Sequence, residues 1–367
     1  MTNQIQYNYR VDLRPLGPYF FGGEVTFGNG EEVNYFAKSR PYPQQTTLLG
    51  VLRHLGYQTA GIGPADIGES FAAEADESNG YYGFIKAISP LVFRLADQDH
   101  LLGPLMAGAQ SAGAPVAAGA ESMRWSTGTT PTWRPLYELP TFNPKEWYDQ
   151  PLVPGTKELT KLDDLVDTDT RIGITKQRDG AERTDGFYKQ EFRTLKNSAT
   201  TLSYYARLTE QAKLIDSPLV LPIGAEKQLF EVDVSPLALS EQKTFGERFP
   251  THHFADCRSA TLHCAVLLSD AFAEPGLLET LPFAVADTVD FRYLSTPVRV
   301  SDFGRLSRTD RDAKRYPDQI RQSRKYNLLA RGSLLYAEEE QHLIDLLDHP
   351  RWQTIGYNHY HLLSPQA

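Results

Sequence analysis

The clearest hydrophobic pattern in the sequence is a helical stripe close to its start. Its apolar residues recur with the spacing of one helix face: Leu48, Leu49, Val51, Leu52 and Leu55. Thr46 or Thr47 is suited to cap this helix, because a side-chain oxygen there can accept from an N–H group that has no partner within the helix. The pattern predicts a buried helix that ends near Gly56.

A polar loop that contains two prolines precedes the helix. Ser39 and Arg40 stand before Pro41 and Pro43, which disfavour a helical backbone. An arginine beside a helix N-terminus with threonine hydroxyls is one arrangement that seats a phosphate. An ordinary core helix beside a solvated loop explains the same pattern. The stretch lacks the Gly-Lys-Ser/Thr sequence of a nucleotide P-loop.

Most other apolar residues follow the alternation of β-strands. Residues 81–95 predict two strands separated at Ser89-Pro90. Residues 229–234 are interpreted as the first strand of a second unit, which places a domain boundary between 222 and 223. Further strands are predicted at residues 7–13, 260–268, 289–300, 328–336 and 354–363, and short helices at 275–281 and 338–347.

A long β-hairpin is predicted over residues 171–195. Two strand-like runs, RIGIT and FYKQEFRTL, flank a polar segment with Asp-Gly, which is a turn signal. The hairpin carries six basic and four acidic residues, interleaved with Phe187, Tyr188 and Phe192. Basic side chains can hold phosphates while rings stack on bases, so the hairpin is a candidate RNA-binding element. A charged, solvated hairpin with one apolar face is the alternative.

The charge of the chain is unevenly distributed. Lys and Arg number 37 against 46 Asp and Glu, so the formal net charge is −9 and any contact with nucleic acid must come from local patches. Residues 292–331 are the strongest such patch, with eleven basic residues against four aspartates. The same patch suits either a polyanion or the acids of a neighbouring protein.

Other sequence features restrict the class of protein. Two cysteines make no disulfide framework, and the N-terminus has no basic start followed by an apolar run. No segment approaches about 18 uninterrupted apolar residues, the length that spans a bilayer. We therefore expect a cytoplasmic protein without membrane contact and without a cofactor.

Four motifs together resemble those of CRISPR RAMP proteins. They are the loop and helix SRPYPQQTTLLGVLR, the hairpin RIGITKQRDGAERTDGFYKQEFRTL, the turn PIGAEKQ and the strand LLARGSLLY. Their order and spacing are most similar to the family of the third subunit of the type III-B Cmr complex. The turn has one glycine where the family often has two, and the insert at 102–150 has no assigned counterpart.

The resemblance implies an α+β fold. It consists of two tandem ferredoxin-like (RRM-like, βαββαβ) domains, 1–222 and 223–367, with a protruding β-hairpin and irregular insertions. The implied role is a non-catalytic subunit that grips the 5′ repeat-derived tag of the crRNA and caps the foot of the effector complex in antiviral defence. The implied protein partners are the large polymerase-palm-like subunit and a backbone RAMP subunit.

The resemblance also implies which residues contact the tag. Gly22 and Gly23 would allow close approach of RNA, since neither carries a Cβ atom. The other candidates for RNA binding are Ser39, Arg40, Thr46, Thr47, Arg53, Arg171, Lys176, Arg178, Phe187, Tyr188, Lys189 and Lys227.

Three alternative functions remain open on the sequence alone. A metal-independent CRISPR endoribonuclease that processes precursor crRNA needs a general acid or base, and His54 on the first helix is the best candidate. A subunit that binds only protein is the second alternative. The third is a zinc site, for which the candidate ligands lie within thirteen residues in a spacing that matches no common zinc finger: His252, His253, Cys257, His263 and Cys264.

Overall fold

The computed structural model describes residues 5–22, 36–68, 71, 82–104, 123–126, 132–135, 151–176, 182–224, 226–259, 261–274, 276–292, 294–295 and 321–365. Within these ranges the fold is α+β, with mostly antiparallel sheets and few helices. The tandem ferredoxin-like arrangement stays a prediction. Among the described helices, none is long and apolar enough to cross a membrane.

The largest sheet has eight strands. Its inner strand β1 (Tyr9–Pro15) buries Tyr9, Val11 and Leu13 on one face, because successive side chains of a strand point to opposite sides. The strand order is β12-β13-β1-β11-β4-β5-β8, and β3 also pairs with β11. The strands are β1 (Tyr9–Pro15), β3 (Ile85–Ile88), β4 (Val92–Leu95), β5 (Gln98–Leu102), β8 (Leu152–Val153), β11 (Thr201–Leu208), β12 (Leu219–Ile223) and β13 (Gln228–Pro236).

Strand β13 does not begin a separate sheet, contrary to our interpretation of residues 229–234. It pairs with β1 along seven residue pairs, from Tyr9↔Pro236 to Pro15↔Phe230, and with β12 on its other side. A boundary between 222 and 223 therefore falls within β12, whose pairing with β13 places both strands in one sheet. The alternating pattern identified the strand but carried no information about its partner.

The predicted first helix is present as α1 (Gln45–Gln58), and all five residues of its stripe are buried. Its capping was predicted wrongly. The helix begins at Gln45, the N-cap is Gln44, and no side chain caps it, so Thr46 and Thr47 lie within the first turn. It also continues past Gly56, whose lack of a side chain leaves room for the ring of Phe84, 2.8 Å from where a Cβ would stand.

The predicted hairpin is confirmed, and it is longer than expected. It consists of β9 (Val166–Lys176) and β10 (Glu182–Leu195), which pair antiparallel with a register shift between Glu182 and Phe187. The short strand β2 (Phe36–Lys38) adds to β10 in parallel, giving the three-stranded sheet β2-β10-β9.

A four-stranded antiparallel sheet forms the other large unit, in the order β15-β20-β14-β21. Its strands are β14 (His263–Leu267), β15 (Phe283–Val285), β20 (Leu334–Ala337) and β21 (Tyr360–Leu363), and α5 (Glu340–Leu347) packs against it. The single strand predicted at 328–336 is instead β19 (Tyr326–Leu329) and β20, separated by a turn in which Gly332 has a φ of 84°. The strand predicted at 354–363 is confirmed only from Tyr360, since α6 (Pro350–Thr354) precedes it.

The remaining described elements are small. Residues predicted to be a helix at 275–281 form one 3₁₀ turn at Leu277–Thr280. Within the insert, β6 and β7 form a short hairpin. The bounds are α2 (Pro64–Ile67), β6 (Met123–Ser126), β7 (Thr132–Pro135), α3 (Leu162–Leu165), α4 (Phe245–Arg248), β16 (Thr288–Phe291), β17 (Leu294–Ser295) and β18 (Arg321–Gln322).

The largest hydrophobic core crosses the expected boundary. It joins the buried face of α1 and the eight-stranded sheet to residues far along the chain, among them Phe272, Leu328 and Tyr357. Phe272 lies 5.1 Å from Tyr357 in edge-to-face geometry, measured between ring centroids. The first helix is thus held between the sheet and the later part of the chain.

Candidate nucleic-acid interface

The register of the three-stranded sheet decides which side chains share a face. Lys189 of β10 stands opposite Phe36 of β2 and opposite Ile172 of β9. Residues that are directly paired point to the same side of a sheet, and the next residues along each strand point to the other. We call the side with Phe36, Lys38, Lys189, Glu191 and Ile172 the outer face, and the side with Ala37, Gln190 and Phe192 the inner face.

The inner face is packed. Ala37 and Phe192 are buried with Phe20, and the two phenyl rings are 5.5 Å apart between centroids. The guanidinium group of Arg171 lies 4.4 Å from the centroid of the Phe192 ring and forms an ion pair of 2.9 Å with Asp169. Arg171 is exposed, but its charge already has a ring and a carboxylate as partners.

The outer face carries two exposed lysines, and its one acidic side chain in this register, Glu191, is paired with Arg193 at 3.1 Å. The ammonium group of Lys189 lies 4.6 Å from the centroid of the Phe36 ring, and that of Lys38 lies 5.1 Å from it. Both lysines are exposed, and the side chain of Ile172 is 69% exposed. Phe36 itself is half-buried. Exposed cations beside an aromatic ring can bind the phosphates and bases of a single strand of nucleic acid.

A strand exit connects this sheet to the large one. Tyr19 and Arg193 exchange two backbone hydrogen bonds of 2.8 Å, and the Arg40 N–H donates to the carbonyl of Phe21 at 2.8 Å. Gly22 follows and is exposed. The chain around Gly22 is therefore held at the edge of the three-stranded sheet.

The turn between β12 and β13 packs against this exit. Gly224 has a φ of 79°, and a Cβ added there would stand 3.3 Å from the carbonyl oxygen of Phe20. Both the backbone conformation and the close approach favour glycine. Lys227 closes the turn with a φ of 54° and is exposed. The predicted candidates Gly22 and Lys227 thus belong to segments that are in contact.

The loop before α1 is largely committed to internal contacts. Ser39 is buried, and its hydroxyl accepts from the Phe21 N–H at 2.9 Å. The guanidinium group of Arg40 donates to the carbonyl of Asp290, 250 residues away. Neither side chain is presented as the open phosphate contact that the sequence suggested.

The start of α1 is covered by the chain itself. The Gln44 side chain lies between the Asp270 carboxylate, at 3.5 Å, and the hydroxyl of Tyr357, which donates to it at 3.2 Å. Thr46 also hydrogen-bonds to Tyr357. Burial and the nearby Asp270 raise the pKa of the Tyr357 hydroxyl. A carboxylate of this chain therefore stands close to the place where a phosphate was expected.

Arg53 and His54 lie further along the same helix. Arg53 points into the protein, where it donates to the carbonyl of Gly68 at 3.2 Å and burial lowers its pKa. His54 is exposed, and its Nε2 atom lies 3.1 Å from the Gln58 amide nitrogen. The structure does not bring Arg53 to the outer face.

The candidate zinc ligands occupy different surroundings. Cys257 and Cys264 are buried in one hydrophobic cluster, and burial raises the pKa of the Cys264 thiol, which disfavours the thiolate that zinc requires. The imidazoles of His252 and His253 are 4.3 Å apart, and His263 Nδ1 lies 3.5 Å from a Glu340 carboxylate oxygen. Over the described part of the chain, no three His, Cys, Asp or Glu side chains are placed to hold a metal ion.

Several candidate RNA-binding residues lie wholly or partly outside the described part of the chain. Gly23 and Arg178 lie outside the described residues. Lys176, Phe187 and Tyr188 belong to the hairpin strands, and only their backbone is described. Most of the basic stretch 292–331 also lies outside the described residues. Its last residue, Arg331, is described and buried, and the Arg331 guanidinium donates to the carbonyl of Leu91 at 2.9 Å.

Sequence reasoning missed three residues of this region. Phe36 and Lys38 lie on a strand of only three residues, which is too short to show a period. Arg193 joins three segments: it donates to the Ser39 carbonyl at 3.1 Å and the Thr168 hydroxyl at 2.6 Å, and it pairs with Glu191 at 3.1 Å. Nothing in the local sequence separates Arg193 from the other basic residues of the hairpin.

The chain is similar to known proteins over nearly its whole length. The family model described as CRISPR-associated protein (Cas_Cmr3) matches residues 11–365. No curated protein matches the chain. Among solved structures, a chain in the cryo-EM structure of the type III-B Cmr-beta bound to cognate target RNA is similar, with 12% identity, a TM-score of 0.49, and coverage of 97% of this chain and 96% of that chain.

Two further solved structures are similar to the chain, with lower TM-scores. One is the type III-B Cmr-beta bound to cognate target RNA and AMPPnP, state 1, with 11% identity, a TM-score of 0.48 and coverage of 96% and 95%. The other is the Csm3–Csm4 subcomplex in the type III-A CRISPR-Cas interference complex, with 10% identity, a TM-score of 0.36 and coverage of 89% and 92%.

Proposed function

The chain belongs to the Cas_Cmr3 family of CRISPR-associated proteins, and from that membership we propose that it is a non-catalytic subunit of a type III CRISPR effector complex. In this role it binds the 5′ repeat-derived tag of the crRNA and caps the foot of the complex. Its protein partners there are the large polymerase-palm-like subunit and a backbone RAMP subunit.

The observation that carries this proposal is the outer face of the three-stranded sheet. In a chain with a net charge of −9, Lys38 and Lys189 extend from one face beside an exposed apolar side chain. Contacts of lysine with phosphate release counterions and need no particular base sequence. A constant, short RNA end suits such a surface, because its place in a complex is fixed by protein contacts rather than by base readout.

The other candidate residues divide by their surroundings. Gly22, Lys189 and Lys227 are exposed and are proposed to contact the RNA directly. Ser39, Arg40, Thr46 and Thr47 are proposed to shape the surface from below, since Ser39 and Arg40 hold the strand exit and both threonines lie in the covered first turn of α1. Arg171 is proposed to hold the base of the hairpin through Phe192 and Asp169.

Binding of RNA by the whole chain tests the proposal. The variant with Lys38→Glu and Lys189→Glu should bind a short tag RNA about tenfold or more weakly at low salt, because two phosphate contacts become repulsive. Lys243→Glu is the matched control: Lys243 is also exposed but lies at the opposite end of β1, where its carbonyl accepts from the Tyr7 N–H. Equal affinity of wild type and double variant would overturn the proposal.

The same RNA separates the subunit from an endoribonuclease. His54 lies on α1 beside Gln58 rather than on the outer face. We expect repeat RNA incubated with the chain, without metal, to stay intact. A defined cleavage product that His54→Ala abolishes would replace the non-catalytic assignment with the enzymatic one.

A further inference from the structure

Phe36 stands apart from the other phenylalanines that the structure describes. It belongs to none of the hydrophobic clusters formed by the described residues, although its neighbour Ala37 is buried with Phe20 and Phe192. The Phe36 side chain is half-buried, so part of its apolar surface lacks the stabilisation that full burial would give. Among the described residues, no hydrophobic cluster accounts for an aromatic residue at this position.

The ring of Phe36 is framed by charge. Lys38 follows two residues later on the same strand, and Lys189 stands directly opposite on β10, so all three side chains point to the outer face. Their ammonium groups lie 5.1 and 4.6 Å from the ring centroid. Across β10, two strand spacings or about 10 Å from Phe36, the exposed side chain of Ile172 extends the apolar surface.

This arrangement has the chemistry of a site for one nucleobase. We propose that the Phe36 ring is a stacking platform for a single unpaired base of RNA. The base takes the place of the ammonium groups that lie over the ring, and Lys38 and Lys189 then hold the phosphates on either side of it. The inference rests on the proposed function and deepens it, because it names one residue and one contact. A phenyl ring has no hydrogen-bond donor or acceptor, so this platform accepts any base.

The chemistry also restricts the form of the RNA. A base within a duplex is already stacked on both faces, whereas a single-stranded base can rest on an aromatic side chain. The platform therefore selects a single strand, and its affinity has two separable parts. The ring contributes a part that is insensitive to salt, and the lysines contribute a part that falls as salt rises.

The test compares Phe36→Leu with wild type on eight-nucleotide RNAs, each carrying 2-aminopurine at one position. Wild type should change the fluorescence of one position strongly, since stacking quenches that base. Phe36→Leu should remove this quenching and weaken binding about five- to tenfold, with an unchanged salt slope. Phe36→Tyr, which keeps a ring, should restore both the affinity and the quenching.

Controls make each outcome decisive. Leu239→Ala removes an apolar side chain that is 87% exposed and lies after β13, far along the chain, and it should change neither measurement. Phe36→Met is the second variant if Phe36→Leu fails to fold, because an unbranched apolar chain adapts to its surroundings.

Two failures are distinguishable. If wild type shows no salt-dependent affinity for RNA, the proposed function is overturned together with the platform. If wild type binds RNA but Phe36→Leu binds equally and quenches equally, only the platform is overturned. Binding of polyglutamate that competes with the RNA and depends equally on Phe36 would identify a protein occupant and would also overturn the inference.

Discussion

Arg40 and Lys189 lie on adjoining segments, since the Ser39 N–H donates to the carbonyl of Glu191, yet their charged groups have opposite surroundings. The Arg40 guanidinium donates to the carbonyl of Asp290, whereas the Lys189 ammonium lies over the Phe36 ring on an exposed side chain. The first charge serves the fold and the second is available to a ligand. The availability of a charge is thus set by tertiary contacts that residue type does not reveal.

The residues that follow Arg40 in the loop before α1 belong to a group of polar side chains that also serves the fold. We call Tyr42, Gln44, Asp270, Arg331 and Tyr357 the buried junction. The Arg331 guanidinium lies 4.2 Å from the centroid of the Tyr42 ring, and the Arg331 N–H donates to the Asp270 carboxylate at 3.0 Å. These contacts link α1 to the four-stranded sheet. Burial together with Asp270 raises the pKa of the Tyr42 hydroxyl, so this hydroxyl stays protonated.

The largest expected effect is on stability, at Arg331. Arg331→Met removes a buried guanidinium and leaves the Leu91 carbonyl without its donor, so the free energy of unfolding should fall by about 3 kcal/mol or more. Chemical denaturation followed by circular dichroism measures this. Arg207→Met, at an exposed arginine of β11, is the matched control and should stay within about 0.5 kcal/mol. Similar losses in both variants would show that the junction is not special.

The next effect depends on pH and comes from a histidine next to the junction. Burial lowers the pKa of His359 from its usual 6.5 to about 4. The unfolded chain therefore takes up a proton at a higher pH than the folded one, and stability falls as the pH drops from 6.5 towards 4. The expected loss from this group is about 3 kcal/mol.

Unfolding at pH 7 and pH 4 measures that loss, and His359→Gln isolates it. The neutral side chain cannot take up the proton, so the variant should lose less stability between the two pH values than wild type does. His361, whose pKa burial also lowers, remains in both proteins and cancels in the comparison. An identical pH dependence in the two proteins would contradict the assignment.

How much of this was accessible from the sequence depends on the range of the interaction. The stripe of α1 and the two strands of the hairpin follow from residues close in sequence, and the structure confirms them. The hydrogen-bond partner of Arg40 is 250 residues away in sequence, and that of Gln44 is 226 residues away. No local pattern encodes such contacts, so the buried junction was not visible in the sequence, and phosphate binding at this loop stays a prediction.

The outer face was hidden from sequence reasoning for a different reason. Lys189 was identified as a candidate, but its partner Phe36 comes from a parallel strand of three residues. Parallel pairing brings together segments that are far apart along the chain, here about 150 residues, and leaves no turn signal between them. The interleaving of rings and cations within the hairpin was visible, whereas its completion by β2 was not.

A smaller loss of stability is expected at Arg40, whose charge was contrasted with that of Lys189. Arg40→Ala should lower the free energy of unfolding by about 1 to 3 kcal/mol, because a charged donor to the Asp290 carbonyl is lost. It should leave the salt dependence of RNA binding unchanged, since the guanidinium is already occupied. A reduced salt slope with unchanged stability would reverse the roles we assign to Arg40 and Lys189.

The smallest effect lies in the turn that adjoins both regions. Lys227 has a φ of 54°, a left-handed backbone that costs a residue with a side chain about 1 kcal/mol or slightly more, whereas glycine adopts it freely. Lys227→Gly should therefore not destabilise the chain and should raise the free energy of unfolding by up to about 1 kcal/mol.

The same variant removes a cation, so its effect on RNA should be opposite. If Lys227 contacts one phosphate, the slope of log affinity against log salt should fall by about 0.7, the value for one contact to a single strand. Lys227→Gln removes the charge but keeps the strained backbone, so it should match Lys227→Gly in salt slope and not in stability. If the two variants have the same free energy of unfolding, the backbone at residue 227 does not keep its left-handed conformation. If the salt slope of RNA binding is unchanged in both variants, Lys227 does not belong to the RNA-binding surface. The cationic part of that surface is then the outer face alone.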